Sequence, residues 1–336
     1  MEYRILGRSG VTVSRLCLGS MMFGGATDAA TSARMIATAK EAGCNFLDTA
    51  DVYSRGASEE VVGAALAGTR QDWVLATKLG NAMGPGRNEK GLSRAWMMRA
   101  VEGSLRRLGT DYLDVLYLHR EDHDTPLEVT VAALGDLIRA GKIRAFGLSN
   151  FRAWRIAALC EACDRLGVDR PVVLQPLYHA LNRMVEVEVL PVAAHYGLGV
   201  VPYSPLARGV LTAKYAPDAP PAPESRAGRG DKRMLEAEWH PASIALAQRL
   251  AQHAAARGVP AAHLAVQWVL RNPLITGTIA GPRTEAQLED YLAALEAPFT
   301  AEDEAVISGL VSPGHAAVPG HNDPAYRIEG RPVSQG

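Results

Sequence analysis

Residues 113–149 read LDVLYLHREDHDTPLEVTVAALGDLIRAGKIRAFGLS, and this stretch decides the fold. It opens with a near-continuous apolar run, Leu113 to His119. Such a run suits a strand covered on both faces. Next, Leu127, Val131, Leu134 and Ile138 step by 4, 3 and 4, which places them on one face of a helix. Gly141 sits where that helix should stop. A second apolar run, Ala145 to Ser149, then completes a strand, helix, strand unit.

Working outward, the same alternation recurs. Apolar runs appear at Leu16–Ser20, Asn45–Asp48, Trp73–Lys78, Val172–Gln175, Gly199–Ser204 and Gly277–Gly281, making eight with the two above. Met97, Val101, Leu105 and Leu108 form a helical stripe after Ser93, a suitable N-cap, and Gly167 marks another helix stop. Leu288, Tyr291, Leu292 and Leu295 form a late stripe. Strand ends recur about every 30 residues, the period of a barrel unit. The expectation is an α/β protein, one (β/α)8 barrel domain over 1–336 with its core at about 16–296, rather than two domains. Residues 1–15 are expected to form a small β-hairpin, 212–240 a long loop after strand seven, and 312–336 a tail.

Composition narrows the function classes. The 336 residues carry 35 Lys+Arg against 36 Asp+Glu and are 48% apolar. That balance gives no electrostatic reason to expect nucleic acid or an acidic membrane as partner. No stretch approaches the ~18 apolar residues of a membrane helix, and residues 1–10 lack the apolar core of a signal peptide. Four cysteines are too few for a disulfide framework, so the expected location is a reducing cytoplasm. Cys160-x-x-Cys163 has redox or metal spacing, yet it lies on an apolar stripe with Ile156, Leu159 and Leu166, so core packing is expected. His119, Asp122, His123 and Asp124 find no further ligands at metal spacing, so no metal is expected. Arg226, Arg229, Lys232 and Arg233 form a basic run, read either as solvated surface or as a clasp on phosphates.

Barrel sites form at the C-terminal ends of the strands. Those ends carry Ser20, Asp48, Lys78, His119, Ser149-Asn150, Gln175, Tyr203-Ser204, and Gly281 followed by Arg283. Lys78 needs a partner if buried, and Asp48, one strand earlier, supplies one. Tyr53 lies in the loop above the Asp48 strand, and His119 ends the strand after Lys78. This set suits carbonyl reduction, which builds negative charge on oxygen and requires a proton donor. A lysine cation is expected to lower the tyrosine pKa, Asp48 to hold the lysine, and His119 to place the carbonyl. A structural ion pair is the bland reading of Asp48 with Lys78. A lyase using Lys78 as Schiff-base nucleophile would need that lysine neutral.

Longer motifs carry a family likeness. Leu6 to Gly19 (LGRSGVTVSRLCLG), Asn45 to Tyr53 (NFLDTADVY), Ala76-Thr-Lys78, Tyr117-Leu-His119, Gly147-Leu-Ser-Asn150, Gln175-Pro, Tyr203-Ser-Pro-Leu206 and Gly281-Pro-Arg283 follow in order across roughly 3–296. Together they resemble aldo-keto reductases, a family that also contains potassium-channel β subunits; the loop at 86–91 looks closest to bacterial members. The resemblance implies a catalytic tetrad of Asp48, Tyr53, Lys78 and His119, with Tyr53 as general acid. It implies a nicotinamide bed at Ser20, Met21, Asp48, Ser149, Asn150 and Gln175, with Tyr203 stacked on the ring. Ser204, Pro205, Leu206, Gly209, Lys214 and Arg226 would line the pyrophosphate path, and Gly281, Arg283, Gln287 and Asp290 would surround the adenosine phosphate.

Two positions depart from the family pattern. Tyr291 stands where relatives often have asparagine, and Gly281 where some carry lysine. Arg283 would then take a 2′-phosphate, so NADPH is the expected cofactor and NADH the alternative. No Gly-x-Gly-x-x-Gly sequence marks a Rossmann domain. The implied function is reduction of an aldehyde or ketone to an alcohol. The alternative is a cofactor-binding regulatory subunit with little turnover. Substrate identity and oligomeric state are not legible in the sequence.

Overall fold

The computed structural model describes residues 1–217 and 219–326. Two short strands, β1 (Tyr3–Ile5) and β2 (Thr12–Ser14), pair antiparallel as the expected hairpin. Eight strands follow: β3 (Leu16–Gly19), β4 (Phe46–Asp48), β5 (Val74–Leu79), β6 (Leu113–Leu118), β7 (Ile143–Ser149), β8 (Val173–Gln175), β9 (Gly199–Val200) and β10 (Thr278–Ala280). They form one parallel sheet in the order β10-β3-β4-β5-β6-β7-β8-β9. Backbone bonds from Thr276 N to Val200 O (2.8 Å) and Ile279 N to Pro202 O (2.9 Å) join β9 to β10. The result is a (β/α)8 barrel, as the sequence pattern predicts.

Strand period sets the layers. Side chains alternate between the barrel interior and the helices. Cys17, Phe46, Ala76, Val115, Tyr117, Val173, Val201 and Ile279 cluster inside the barrel. Leu18, Leu47, Leu75, Leu116, Phe146 and Leu174 face outward into the larger core shared with the helices. Tyr117 is fully buried in the interior because Gly147 opposes it across the β6–β7 ladder. A Cβ at Gly147 would stand 2.7 Å from the Tyr117 ring and 2.7 Å from the Val173 carbonyl. The hairpin plugs the far end: Leu6 and Val13 join the interior cluster. Gly7, with φ of +55°, packs so close that a Cβ would meet the Val172 carbonyl and the Gly199 amide.

The helices obey the stripes. The helix Arg94–Leu108 is capped by Ser93, whose Oγ accepts from Trp96 N, and it buries Met97, Val101, Leu105 and Leu108. The helix Leu127–Arg139 is followed by Gly141, and the helix Ala153–Leu166 ends at Gly167, both glycines with positive φ. Cys160 and Cys163 are buried on that last helix, and burial pushes both thiols up to about 12, away from thiolate chemistry.

Two expectations need correction. The run Gly199–Ser204 pairs as a regular strand only through Val200, because Pro176 and Pro202 lack the N–H that would continue the ladder; Tyr203 adds one isolated bridge to Leu177. The 212–240 segment is not wholly without structure. It holds a short helix, Lys232–Ala237, capped by Asp231, too short to leave a readable period. Residue 218 of this segment and residues 327–336 of the expected tail lie outside the described residues. From 312 to 326 the tail has turns but no helix or strand. Among the described residues no helix is long and apolar enough to cross a membrane.

Candidate active site

Inward positions at the strand ends converge. Asp48 follows Phe46 by two residues on β4, Lys78 follows Ala76 on β5, and His119 follows Tyr117 past β6; all three therefore point to the barrel axis. Lys78 is fully buried. Its Nζ donates to Asp48 Oδ1 (2.5 Å), Thr49 O (2.8 Å) and Tyr53 Oη (3.1 Å). Three acceptors use all three ammonium protons, and this compensates the burial. Gln175 Nε2 donates to the other Asp48 oxygen at 3.0 Å. The Tyr53 and His119 rings meet edge to face, 5.9 Å between centroids.

Burial and pairing compete at each group. Burial opposes the Lys78 charge, but Asp48 and then Tyr53 overcome it and push the ammonium up to about 12. Burial raises the Asp48 carboxyl against the pull of Lys78 and Gln175. The Tyr53 phenol is also raised, by burial first, with Lys78 opposing. This corrects the expectation of a lowered tyrosine: removing a phenolate from water costs more than one lysine, already shared with Asp48, returns. His119 is driven well below its ordinary value by burial, then Lys78 and Arg120. The imidazole is neutral, and its Nδ1 has no partner among the described residues.

A cavity of about 850 Å³ opens over these groups. The neighbouring wall is one hydrogen-bonded chain. Tyr203 Oη donates to Asn150 Oδ1 (2.8 Å), Asn150 Nδ2 donates to Ser149 Oγ (2.9 Å) and His119 O (3.0 Å), and Ser149 Oγ donates to Gln175 O (2.9 Å). Asn150, Ser204 and Arg208 hold positive φ of 60°, 60° and 52°. Left-handed conformations at non-glycine residues concentrate where a site over-determines the backbone.

The cavity also collects the other expected contacts. Met21, Leu206, Gly209, Lys214 and Arg226 line it, as do Gly281, Arg283, Gln287 and Asp290. Three expected residues do not: Ser20 faces outward and bonds Ser58 Oγ at 2.8 Å, Pro205 is buried in its loop, and Lys78 lies beneath Asp48 and Tyr53. Asp290 is engaged by His263 at 2.8 Å and Arg226 by Asp231 at 3.0 Å. Gln287 Oε1 accepts from Arg283 N at 2.8 Å. In the basic run Arg226, Arg229 and Arg233 line the cavity, whereas Lys232 stands in solvent. Arg120, Arg208 and Tyr326 also line it, unread in the sequence; only Arg208 had a cue, two residues past Leu206 in the expected phosphate path.

A nicotinamide dinucleotide fits these donors. Burial, then the neighbouring Arg283, Arg229 and Arg226, lower Lys214. A crowd of cations that repel one another in a cavity calls for anions. Arg208 Nε is buried with no partner among the described residues. Phosphates would satisfy both, and the carboxamide-sized polar chain at Ser149, Asn150 and Gln175 lies toward the reactive end. Among the described residues, no group of three or more His, Cys, Asp or Glu is placed to hold a metal ion.

A family model for the Aldo/keto reductase family matches residues 15–311. The chain belongs to this family. A probable voltage-gated potassium channel subunit beta of rice, Oryza sativa subsp. japonica, is 38% identical over 88% of this chain and 92% of its own. An uncharacterized oxidoreductase of Bacillus subtilis is 38% identical over 88% and 91%. The L-glyceraldehyde 3-phosphate reductase of Escherichia coli O157:H7 is 31% identical over 94% and 93%. Membership of the aldo/keto reductases makes the chain an oxidoreductase of carbonyl compounds in general terms, served by a nicotinamide cofactor.

Proposed function

We propose that the protein reduces an aldehyde or ketone to an alcohol with NADPH, using Tyr53 as proton donor. One observation carries this reading: Tyr53 Oη lies 3.1 Å from an ammonium that is itself bound to Asp48 at 2.5 Å. When bound, the reduced nicotinamide supplies a hydride to the carbonyl carbon. As the carbonyl π pair moves to oxygen, Tyr53 Oη transfers its proton there, and Lys78 stabilises the phenolate left behind. The raised phenol keeps that proton at neutral pH until it is needed. Neutral His119 donates a hydrogen bond to the carbonyl oxygen. Asp48 keeps Lys78 charged, which argues against a Schiff-base role.

Arg283 and Lys214 favour NADPH over NADH, since a 2′-phosphate adds charge where cations gather. A small carbonyl compound is the partner the cavity suits. The four unpaired cysteines suit a reducing cytoplasm. Carbonyl-dependent oxidation of NADPH by the purified protein tests the proposal. Tyr53→Phe should lower kcat by at least about a thousandfold while NADPH still quenches tryptophan fluorescence. Wild-type turnover absent across aliphatic and aromatic aldehydes, with NADPH bound tightly, would favour the second reading: a cofactor-binding regulatory subunit, which the similarity to channel β subunits supports.

A further inference from the structure

One cation in the cavity is not explained by a dinucleotide. Counting around the closed barrel, β6 and β10 are four strands apart in either direction, so they stand on opposite sides. Lys214, Arg226, Arg229 and Arg283 belong to the segments after β9 and β10. Arg120 follows His119 directly, at the end of β6, and lines the same cavity. The phosphates of a cofactor drawn to the first group therefore leave Arg120 on the far side of Tyr53.

Nothing within the described chain neutralises it. Arg120 is exposed to the cavity, and its one hydrogen bond among the described residues runs from Nη2 to the Ala325 carbonyl, at 3.3 Å. The two acidic neighbours are occupied elsewhere. Glu121 accepts from Arg152 N at 2.7 Å and lies 3.7 Å from Arg155. Asp122 accepts from Leu92 N and Thr125 Oγ1, both at 2.7 Å, and from Asp124 N at 2.9 Å. The other carboxylates lining the cavity are the buried, paired Asp48 and, past β9 and β10, Glu224 and Asp290. Around the reactive end the described wall otherwise holds Met22, Val52 and Asn81, none of them charged, and Arg208, which acts on the Tyr53 phenol but belongs to the segment after β9 with the other phosphate-facing cations.

Resting on the carbonyl-reductase reading above, we infer that the preferred substrate is an anionic carbonyl compound, whose carboxylate or phosphate is bound by Arg120 while its carbonyl meets Tyr53 and His119. A guanidinium grips either group in a two-pronged hydrogen bond. The weak bond to the tail carbonyl is readily exchanged for that stronger one. Arg120 is thus a specificity-determining residue.

The test compares kcat/KM within two pairs at fixed ionic strength: 4-carboxybenzaldehyde with benzaldehyde, and glyceraldehyde 3-phosphate with glyceraldehyde. The anionic member should win by about tenfold or more in one pair, and which pair shows it separates carboxylate from phosphate. Arg120→Gln should bring that ratio close to one, and Arg120→Lys should keep part of it. A wild-type ratio near one in both pairs overturns the inference while reduction itself stands. So does a preference that survives Arg120→Gln. No turnover of any of the four overturns the reductase reading and this inference with it.

Discussion

Asp51 shows how far a single residue can sit from what its type suggests. It is fully buried, and among the described residues no side chain bonds either carboxylate oxygen; only the neighbouring Val52 amide acts on it as a hydrogen-bond donor. Burial, then the nearby Glu59, push it up to about 8. Glu59 is equally buried but satisfied, bonded by Thr77 Oγ1 at 2.5 Å and Arg107 Nε at 2.7 Å. Folding therefore holds a proton on Asp51 that the unfolded chain releases above its ordinary value of 3.8. The stabilisation from that proton is full below pH 3.8 and fades as pH rises toward 8, a loss on the order of a few kcal/mol. Asp51→Asn removes the titration. Its Tm should exceed the wild-type Tm at pH 8 and the advantage should vanish near pH 4; an equal gain at both would show that Asp51 does not titrate this way. His119 behaves in the opposite sense: since folding holds it neutral well below 6.5, kcat should show no acidic limb near that pH, which a pH–rate profile checks. Neither state could be read from residue type, since burial and partners set both.

Among the elements, the strands were legible and the lids were not. Apolar runs bounded by Gly, Pro and polar residues marked eight strands, seven of them at nearly the observed bounds and the Gly199–Ser204 run too long, because a parallel strand covered on both faces leaves a continuous apolar signal. The period of two then fixed which end residues face the axis. Gly147 belongs to this scale, since it makes room for the Tyr117 ring. Gly147→Ala should destabilise the barrel by about 1–3 kcal/mol, read as a lower denaturant midpoint with unchanged slope. The loop and tail over the site show the limit. Arg233 on the short Lys232–Ala237 helix forms an ion pair with Asp323 of the tail, and the His240 and His321 rings meet 4.5 Å apart. These are contacts between segments with no periodicity, 90 residues apart for the ion pair and 81 for the rings. Arg233→Gln should speed limited proteolysis of the tail several-fold, and an unchanged cleavage rate would show that the ion pair does not hold it.

Over the whole molecule, charge is nearly balanced, yet the cavity concentrates cations. NADPH affinity should accordingly fall as salt screens them, by roughly tenfold between low salt and about 0.5 M, with a shallower fall for NADH. Arg283→Ala should narrow the gap between the two cofactors, measured by fluorescence titration. The sequence by itself determined the barrel, the place of the site at the strand ends, and the candidate tetrad, because hydrophobic period and strand-end polarity are local and survive in one dimension. Only the tertiary structure decided that Ser20 turns away to Ser58, that Tyr53 is raised rather than lowered, and that Arg120 and Arg283 line one cavity from strands on opposite sides of the barrel. Those outcomes depend on distances and burial among residues far apart in the chain, which no local pattern encodes.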